Sequence, residues 1–406
     1  MKELEVRFMA RAGDAPRPVG TLVEQQGKIF FEYQESWLST GLNLSPFRLP
    51  FQRGLFAHQD LAFGPLPGVF ADSLPDGWGL LLMDQHFRNL GRDPASLGPL
   101  ERLGWLGTHT MGALTYHPPA GPEAADGDRL DLEAMARQSR DLLSGKTGQV
   151  LPQLLRAGGS PGGARPKVLV GFDPARDALV SGVEALPDGY AHWMVKFPAK
   201  EDGRDAGAVE YAYSLMARAA GLDLPDTRLF ETPDGNRYFG IKRFDREHNQ
   251  RFHFHSFGNL IHAQFRIPSC DYADLLKVTA LLTRDHDQVM KAFRQMVFNV
   301  FAHNRDDHAK NFAFMLDAGT REWRLTPAYD LSFSPGPGGE HTMTLAGEGR
   351  APGNGQILGL AQERGVPPAE AEAVMAQVRA AVTRWPEFAT LGGVGESKLR
   401  EIAQTI

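Results

Sequence analysis

His303-Asn304-Arg305-Asp306-Asp307-His308-Ala309-Lys310-Asn311-Phe312 sets two acids, two histidines and an amide side by side between apolar runs. The stretch follows Val289, Phe293, Met296, Val297 and Val300, which fall on one face at helical spacing. The spacing therefore predicts a polar loop held at the end of a rigid helix. Downstream come a β-prone run (Phe312 to Leu316), a polar turn (Asp317 to Thr320), a second run (Trp323 to Leu325) and then Tyr329-Asp330-Leu331. A hairpin of that length returns the chain to the loop, bringing Asn311 and Asp330 to one divalent ion. Magnesium, a hard cation content with a few oxygen ligands beside phosphates, suits that pair.

An Arg-Asp pair with Asn five residues after the Asp has the spacing of a kinase catalytic loop. There the acid, here Asp306, accepts the proton of the attacking hydroxyl, and the amide oxygen, here Asn311, binds magnesium. Two further parts stand upstream in the order a kinase needs. Lys196 lies mid-strand in Met194-Val195-Lys196-Phe197-Pro198, and Glu210 opens the next helix, where it can pair with that lysine. Before them runs Gly158-Gly159-Ser160-Pro161-Gly162-Gly163, whose backbone N–H groups can face phosphates, although no Gly-Lys-Ser/Thr follows. Each feature alone is a turn, a cap or an edge residue. Five in the right order are harder to dismiss.

Around these motifs the pattern changes along the chain. Strands are expected at Val6 to Met9, Ile29 to Tyr33 and Met111 to Tyr116, with a helix at Trp78 to Arg88. Pro118 to Asp128 (PPAGPEAADGD) cannot bury apolar surface and reads as a linker. Beyond it come a helix (Leu130 to Leu143), strands (Lys167 to Phe172, Trp193 to Phe197, Tyr238 to Phe244) and a helix from Val209 to Ala220 closed by Gly221. From Asp271 the chain is mainly helical. The expected fold is α+β: a two-lobed, protein-kinase-like fold with a β-rich N-lobe (129–245) and a helical C-lobe (246–406). A small β-rich N-terminal domain (1–117) and a linker (118–128) precede it.

Bulk properties fit. The 406 residues, 42% hydrophobic and 23% charged, suffice for two or three packed units. The single cysteine, Cys270, excludes an intrachain disulfide and fits a reducing compartment. The start lacks the apolar core of a signal peptide, and no stretch has the roughly 20 apolar residues of a membrane helix. A net charge of −6 gives no general attraction to nucleic acid or anionic lipid. The expectation is a cytoplasmic protein that meets DNA only through a partner.

Gly162-Gly163-Ala164-Arg165-Pro166-Lys167, Val195-Lys196-Phe197-Pro198, Arg243-Phe244-Asp245-Arg246, Asn304 through Asn311 and Ala328-Tyr329-Asp330-Leu331 together resemble the HipA family. Ser73-Leu74-Pro75-Asp76-Gly77-Trp78-Gly79 and Met111-Gly112-Ala113-Leu114 resemble the small domain that precedes the kinase core there. The resemblance implies a serine/threonine kinase, the toxin of a toxin–antitoxin pair, using ATP and magnesium. It implies a HipB-like DNA-binding antitoxin as partner and a protein substrate, an aminoacyl-tRNA synthetase in known cases. By position it makes Asp306 the base, Asn311 and Asp330 the magnesium ligands, and Lys196 the lysine on the ATP phosphates. His308 becomes a nucleotide-site residue, Lys242 to Phe244 the hinge that reads adenine, and Ser160 a serine for autophosphorylation. Lys242 departs from the acidic residue usual at that place, and Arg165 from a common glutamine. Three other readings compete with it: an aminoglycoside-type small-molecule phosphotransferase, a metal-dependent hydrolase on His303, Asp307 and His308, and a co-repressor acting through the antitoxin.

Overall fold

The computed structural model describes residues 2–121, 130–150, 152–158, 162–182, 185–199, 202–264, 267 and 269–406. Most of the expected linker, and Ser160 with it, lies outside the described residues.

The amino-terminal region is built on an antiparallel sheet of β1 (Lys2–Phe8), β2 (Arg17–Gln25), β3 (Lys28–Tyr33), β4 (Leu55–Ala57) and β5 (Leu114–His117), ordered β4-β3-β2-β1-β5. Alternation drives it: Leu4, Val6 and Phe8 of β1 are buried while their neighbours are not. The strand expected at Met111 starts later, at Leu114. Gly112 has φ +71°, its N–H donates to Asp245 at 2.7 Å, and a Cβ there would meet Phe254 at 3.1 Å. The backbone is thus committed to Asp245 and Phe254 before the strand begins.

The second sheet joins β6 (Lys167–Asp173), β7 (Ala178–Ser181), β8 (Ala191–Lys196), β9 (Thr227–Glu231) and β10 (Arg237–Lys242) in the order β7-β6-β8-β10-β9. Every residue of β6 is buried, because the sheet is covered on both faces. The Gly77–Asn89 helix of the N-terminal region buries Trp78, Leu82, Met83 and Phe87 in one cluster with Val168, Val170, Val195 and Phe197. The Ala206–Ala219 helix also packs on this sheet, and its carboxyl end reaches Gly221, whose φ is +80°. β10 stops at Lys242, short of the expected Phe244, since Arg243 and Asp245 turn inward as a buried ion pair at 2.8 Å.

After a short ribbon of β11 (Arg246–Glu247) and β12 (Gln250–Arg251), a third sheet forms from β13 (His253–Ser256), β14 (Ala313–Leu316) and β15 (Trp323–Leu325). The β14–β15 hairpin stands where the sequence places it. β13, some 57 residues upstream of β14, was not expected as a strand; it pairs His253 with Leu316 and Ser256 with Ala313. Helices Tyr272–Thr283, His286–Phe301 and Pro368–Val382 are the longest of the carboxyl-terminal half among the described residues. One continuous core runs from Val6, Phe31 and Phe70 through Phe257 and Tyr272 to Phe293 and Trp385. The amino-terminal sheet therefore shares its core with the helical lobe.

Candidate active site

The His286–Phe301 helix opens on Asp285, whose side chain accepts from Asp287 N–H at 2.9 Å, and ends at Ala302, whose carbonyl accepts from Tyr213 at 2.7 Å. The loop beyond is pinned from behind. Asn304 donates to Asn299 at 2.9 Å, and Asn299 donates to Tyr272 at 3.1 Å. Asp307, with no exposure, accepts from Tyr272 (2.6 Å), His341 (2.7 Å) and the Thr342 N–H (2.8 Å). With Asp307 held in the core, Asp306 is left exposed on the cleft side of the same loop. Loss of surrounding water raises the Asp306 carboxyl above the usual carboxylate range, and the nearby Asp330 charge adds to the rise; His308 and Arg165 oppose it. Asn311 donates its amide nitrogen to the Asp306 carbonyl at 2.7 Å, which keeps its Oδ1 for a cation.

Lys196, on β8, is 8% exposed and bonds both Glu210, on the Ala206–Ala219 helix, and Asp330 Oδ1, the latter at 2.6 Å. Burial disfavours its ammonium, but the two carboxylates more than offset that and raise it above its ordinary value. Lys196 in turn holds the Asp330 carboxyl well below the usual range, whereas burial pushes Glu210 up despite the lysine. Asp330 has φ +57°, a left-handed conformation that costs a non-glycine residue about 1–2 kcal/mol. Tyr329 next to it donates to the Lys310 carbonyl at 2.7 Å and lies 5.3 Å from the Phe244 ring.

Other expected residues are placed less directly. Lys242 and Arg243 spend their N–H groups on the Asp226 and His192 carbonyls, both at 2.9 Å, and Lys242 Nζ is 3.8 Å from Asp226. The Gly162 carbonyl accepts from Lys167 Nζ at 2.5 Å. Gly163, with φ +94°, gives its N–H to Asp76, so the amide expected to face a phosphate is committed to the N-terminal region. His308 acts on Asp306 by charge.

Three participants were missed. Lys167, fully enclosed and lowered to about 8 by burial, feels Asp330, Lys196, Asp76 and Glu210 together. Arg165 bonds Asp202 at 3.0 Å and bears on Glu210 and Asp330. Asp76 meets Lys310 at 2.9 Å. Lys167 and Arg165 stand beside the glycine-rich run, a signal that was present. Asp76 is 234 positions from Lys310, and no local signal linked them.

The arrangement suits phosphoryl transfer: a caged lysine, an exposed carboxylate of raised pKa, and an amide and a carboxylate of hard-oxygen character. Asn311 and Asp330 fit magnesium, which takes one or two protein oxygens beside phosphates and water. No group of three or more His, Cys, Asp or Glu able to hold a metal occurs among the described residues, which leaves the hydrolase reading without a ligand set. His303 instead stacks on Phe333 at 5.6 Å, and Asp307 is buried. Ser45, His255 and Asp72 also line up as hydroxyl, imidazole and carboxylate (3.2 and 2.5 Å). Ser45 is 1% exposed, so that row joins loops of the N-terminal region to β13 and reaches no substrate.

Residues 159–385 match the HipA-like C-terminal domain and residues 14–117 the HipA N-terminal domain. The chain belongs to the HipA family. Among solved structures, HipA of Shewanella oneidensis MR-1, from a complex of HipA, HipB and operator DNA, superposes with a TM-score of 0.70. The overlap covers 99% of this chain and 94% of that one at 16% identity, a likeness of fold. The Helicobacter pylori proinflammatory kinase CtkA overlaps 52% of this chain and 92% of its own at 13% identity, with a TM-score of 0.34, too loose to argue from. No curated protein matches the chain in sequence. No helix among the described residues is long and apolar enough to cross a membrane.

Proposed function

We propose that this HipA-family chain is an ATP- and magnesium-dependent serine/threonine protein kinase and the toxin of a toxin–antitoxin pair. The observation that carries the proposal is Lys196, caged by Glu210 and Asp330 beside the loop that exposes Asp306. In this reading Lys196 steadies the ATP phosphates. A magnesium ion held by Asn311 and Asp330 supplies neutralising charge on those phosphates when bound. Asp306 orients the attacking hydroxyl and takes its proton as the new O–P bond forms and the β–γ bridge breaks, releasing ADP. The raised carboxyl of Asp306 favours that proton transfer. In this reading the segment that ends at Phe244, whose ring lies 5.3 Å from Tyr329, faces the adenine. Family membership supports a HipB-like DNA-binding antitoxin as partner, a protein substrate such as an aminoacyl-tRNA synthetase, and self-phosphorylation at Ser160.

The test is labelled ATP offered to the purified chain with magnesium or with chelator. We expect magnesium-dependent label on its own serine, mapped to Ser160, and none in Asp306→Asn. Expression should arrest bacterial growth, and the same substitution should relieve it. Transfer that persists undiminished in Asp306→Asn, or nucleotide binding indifferent to magnesium, would overturn the proposal.

A further inference from the structure

Asp76 has the backbone of a helix N-cap (φ −118°, ψ 176°) before Gly77–Asn89, yet its side chain caps nothing. An aspartate there ordinarily accepts from the second or third N–H of its own helix. Instead Oδ1 accepts the Gly163 N–H of the glycine-rich loop, and Oδ2 accepts from Lys310 Nζ, in the catalytic loop, at 2.9 Å. Neither end is loose: the Asp76 and Lys310 side chains are 17% and 19% exposed.

The surrounding fit is close. A Cβ on Gly77, at φ +47°, would stand 2.6 Å from the Gly163 carbonyl oxygen and from Ala164 Cα. Trp78 donates its N–H to Gly163 O at 3.0 Å and its indole to Lys167 O at 3.1 Å. On the other side, Lys310 directly precedes Asn311, and its carbonyl receives the Tyr329 hydroxyl beside Asp330. A pull on Lys310 therefore reaches both proposed magnesium ligands. Burial works against a charged Asp76, but Lys310, the Gly163 N–H and Lys167 more than offset it and hold the carboxyl below its ordinary value.

We propose that Asp76 is a positioning residue that latches the glycine-rich loop to the catalytic loop, so that the N-terminal domain holds the phosphate cleft in its working arrangement. The proposal rests on the kinase reading above. Asp76→Asn keeps an acceptor for the Gly163 N–H and loses the ion pair. Lys310→Gln loses it from the other end.

The test is a double-mutant cycle on the full chain, reading kcat and KM for ATP in self-phosphorylation, with melting temperature as the control of fold. Each single substitution should lower kcat/KM about 10- to 100-fold, the range in which small misplacements of reacting groups fall. The double variant should be little worse than either single, since both remove one interaction. Losses that multiply, or singles that match an active wild type, would overturn the latch while leaving the kinase reading intact. A wild-type chain that transfers no phosphate would overturn both. Both substitutions are near in size to the originals, so each is expected to melt within a few degrees of the wild type.

Discussion

At the scale of single residues, adjacent carboxylates have been given opposite roles by their surroundings. Asp306 faces the cleft; Asp307 is consumed by Tyr272, His341 and the Thr342 N–H. Asp306→Asn should lower phosphoryl transfer by about 10²–10⁴-fold, the usual worth of a placed base, with the melting temperature unchanged. Asp307→Asn should do the reverse: stability falls by about 1–3 kcal/mol per buried donor or acceptor left unmatched, while activity per folded molecule stays above that of Asp306→Asn. Parallel melts and rate assays at saturating ATP check both, and the opposite ranking would mean that the loop register is wrong. The five-residue spacing to Asn311 was enough to choose Asp306 from the sequence. What fixes Asp307 was not legible, because His341 and Tyr272 lie about 35 residues away on either side. Lys196 makes a second case. Lys196→Met strands Glu210 in the core and should destabilise by about 3–5 kcal/mol, the cost of breaking a buried pair. Adding Glu210→Gln should recover much of that stability and none of the nucleotide affinity, as calorimetry beside melting would show.

At the scale of elements, the site depends on how closely the Ala206–Ala219 helix approaches its sheet. Gly207 makes that approach feasible: a Cβ there would meet Arg237 O at 2.8 Å and Phe239 N at 3.1 Å. Phe239 is the cross-strand partner of Lys196. Gly207→Ala should push the helix off, cost about 1–3 kcal/mol as overpacking does, and lengthen the Lys196–Glu210 contact. The expected signs are a lower melting point and weaker ATP binding; an unchanged affinity would show that the helix seat and the ion pair are independent. The strands of the β14–β15 hairpin and the long helix before the catalytic loop were readable, since local alternation and 3.6-residue periodicity act within a few residues. β13 was not readable. Its reason for being extended is the edge of β14, which the chain supplies only after three α-helices.

At the scale of the whole molecule, the amino-terminal region is joined to β13 by groups that water would otherwise solvate. His253 on β13 donates from Nε2 to Leu44 O at 3.0 Å and is lowered to about 4, first by burial and then by the His255 charge. Within the second sheet, His192 on β8 is lowered to about 3, again chiefly by burial. A histidine depressed in the folded chain takes up its proton in the unfolded chain first. Stability is then full above the unfolded value of 6.5 and is lost as pH falls from there toward 4. For His253 alone the loss is on the order of 3 kcal/mol. Melting temperatures at pH 7.5, 5.5 and 4.5 should drop accordingly, and His253→Gln, which keeps an N–H for Leu44, should flatten the fall. An equal fall in the variant would assign the acid sensitivity elsewhere.

Taken alone, the sequence determined the order of the motifs, the Lys196–Glu210 pairing and the division into a β-rich and a helical half. These depend on neighbours in the chain, on spacing and on periodicity. Only the tertiary structure decided that Lys196 also holds Asp330, that Lys167 and Arg165 join the same charge cluster, and that Asp76 leaves its helix uncapped to bind two distant loops. Those outcomes depend on which charges are buried against which. A carboxylate finds its strongest partner where the fold excludes water, and that place is set by packing between segments far apart in the chain.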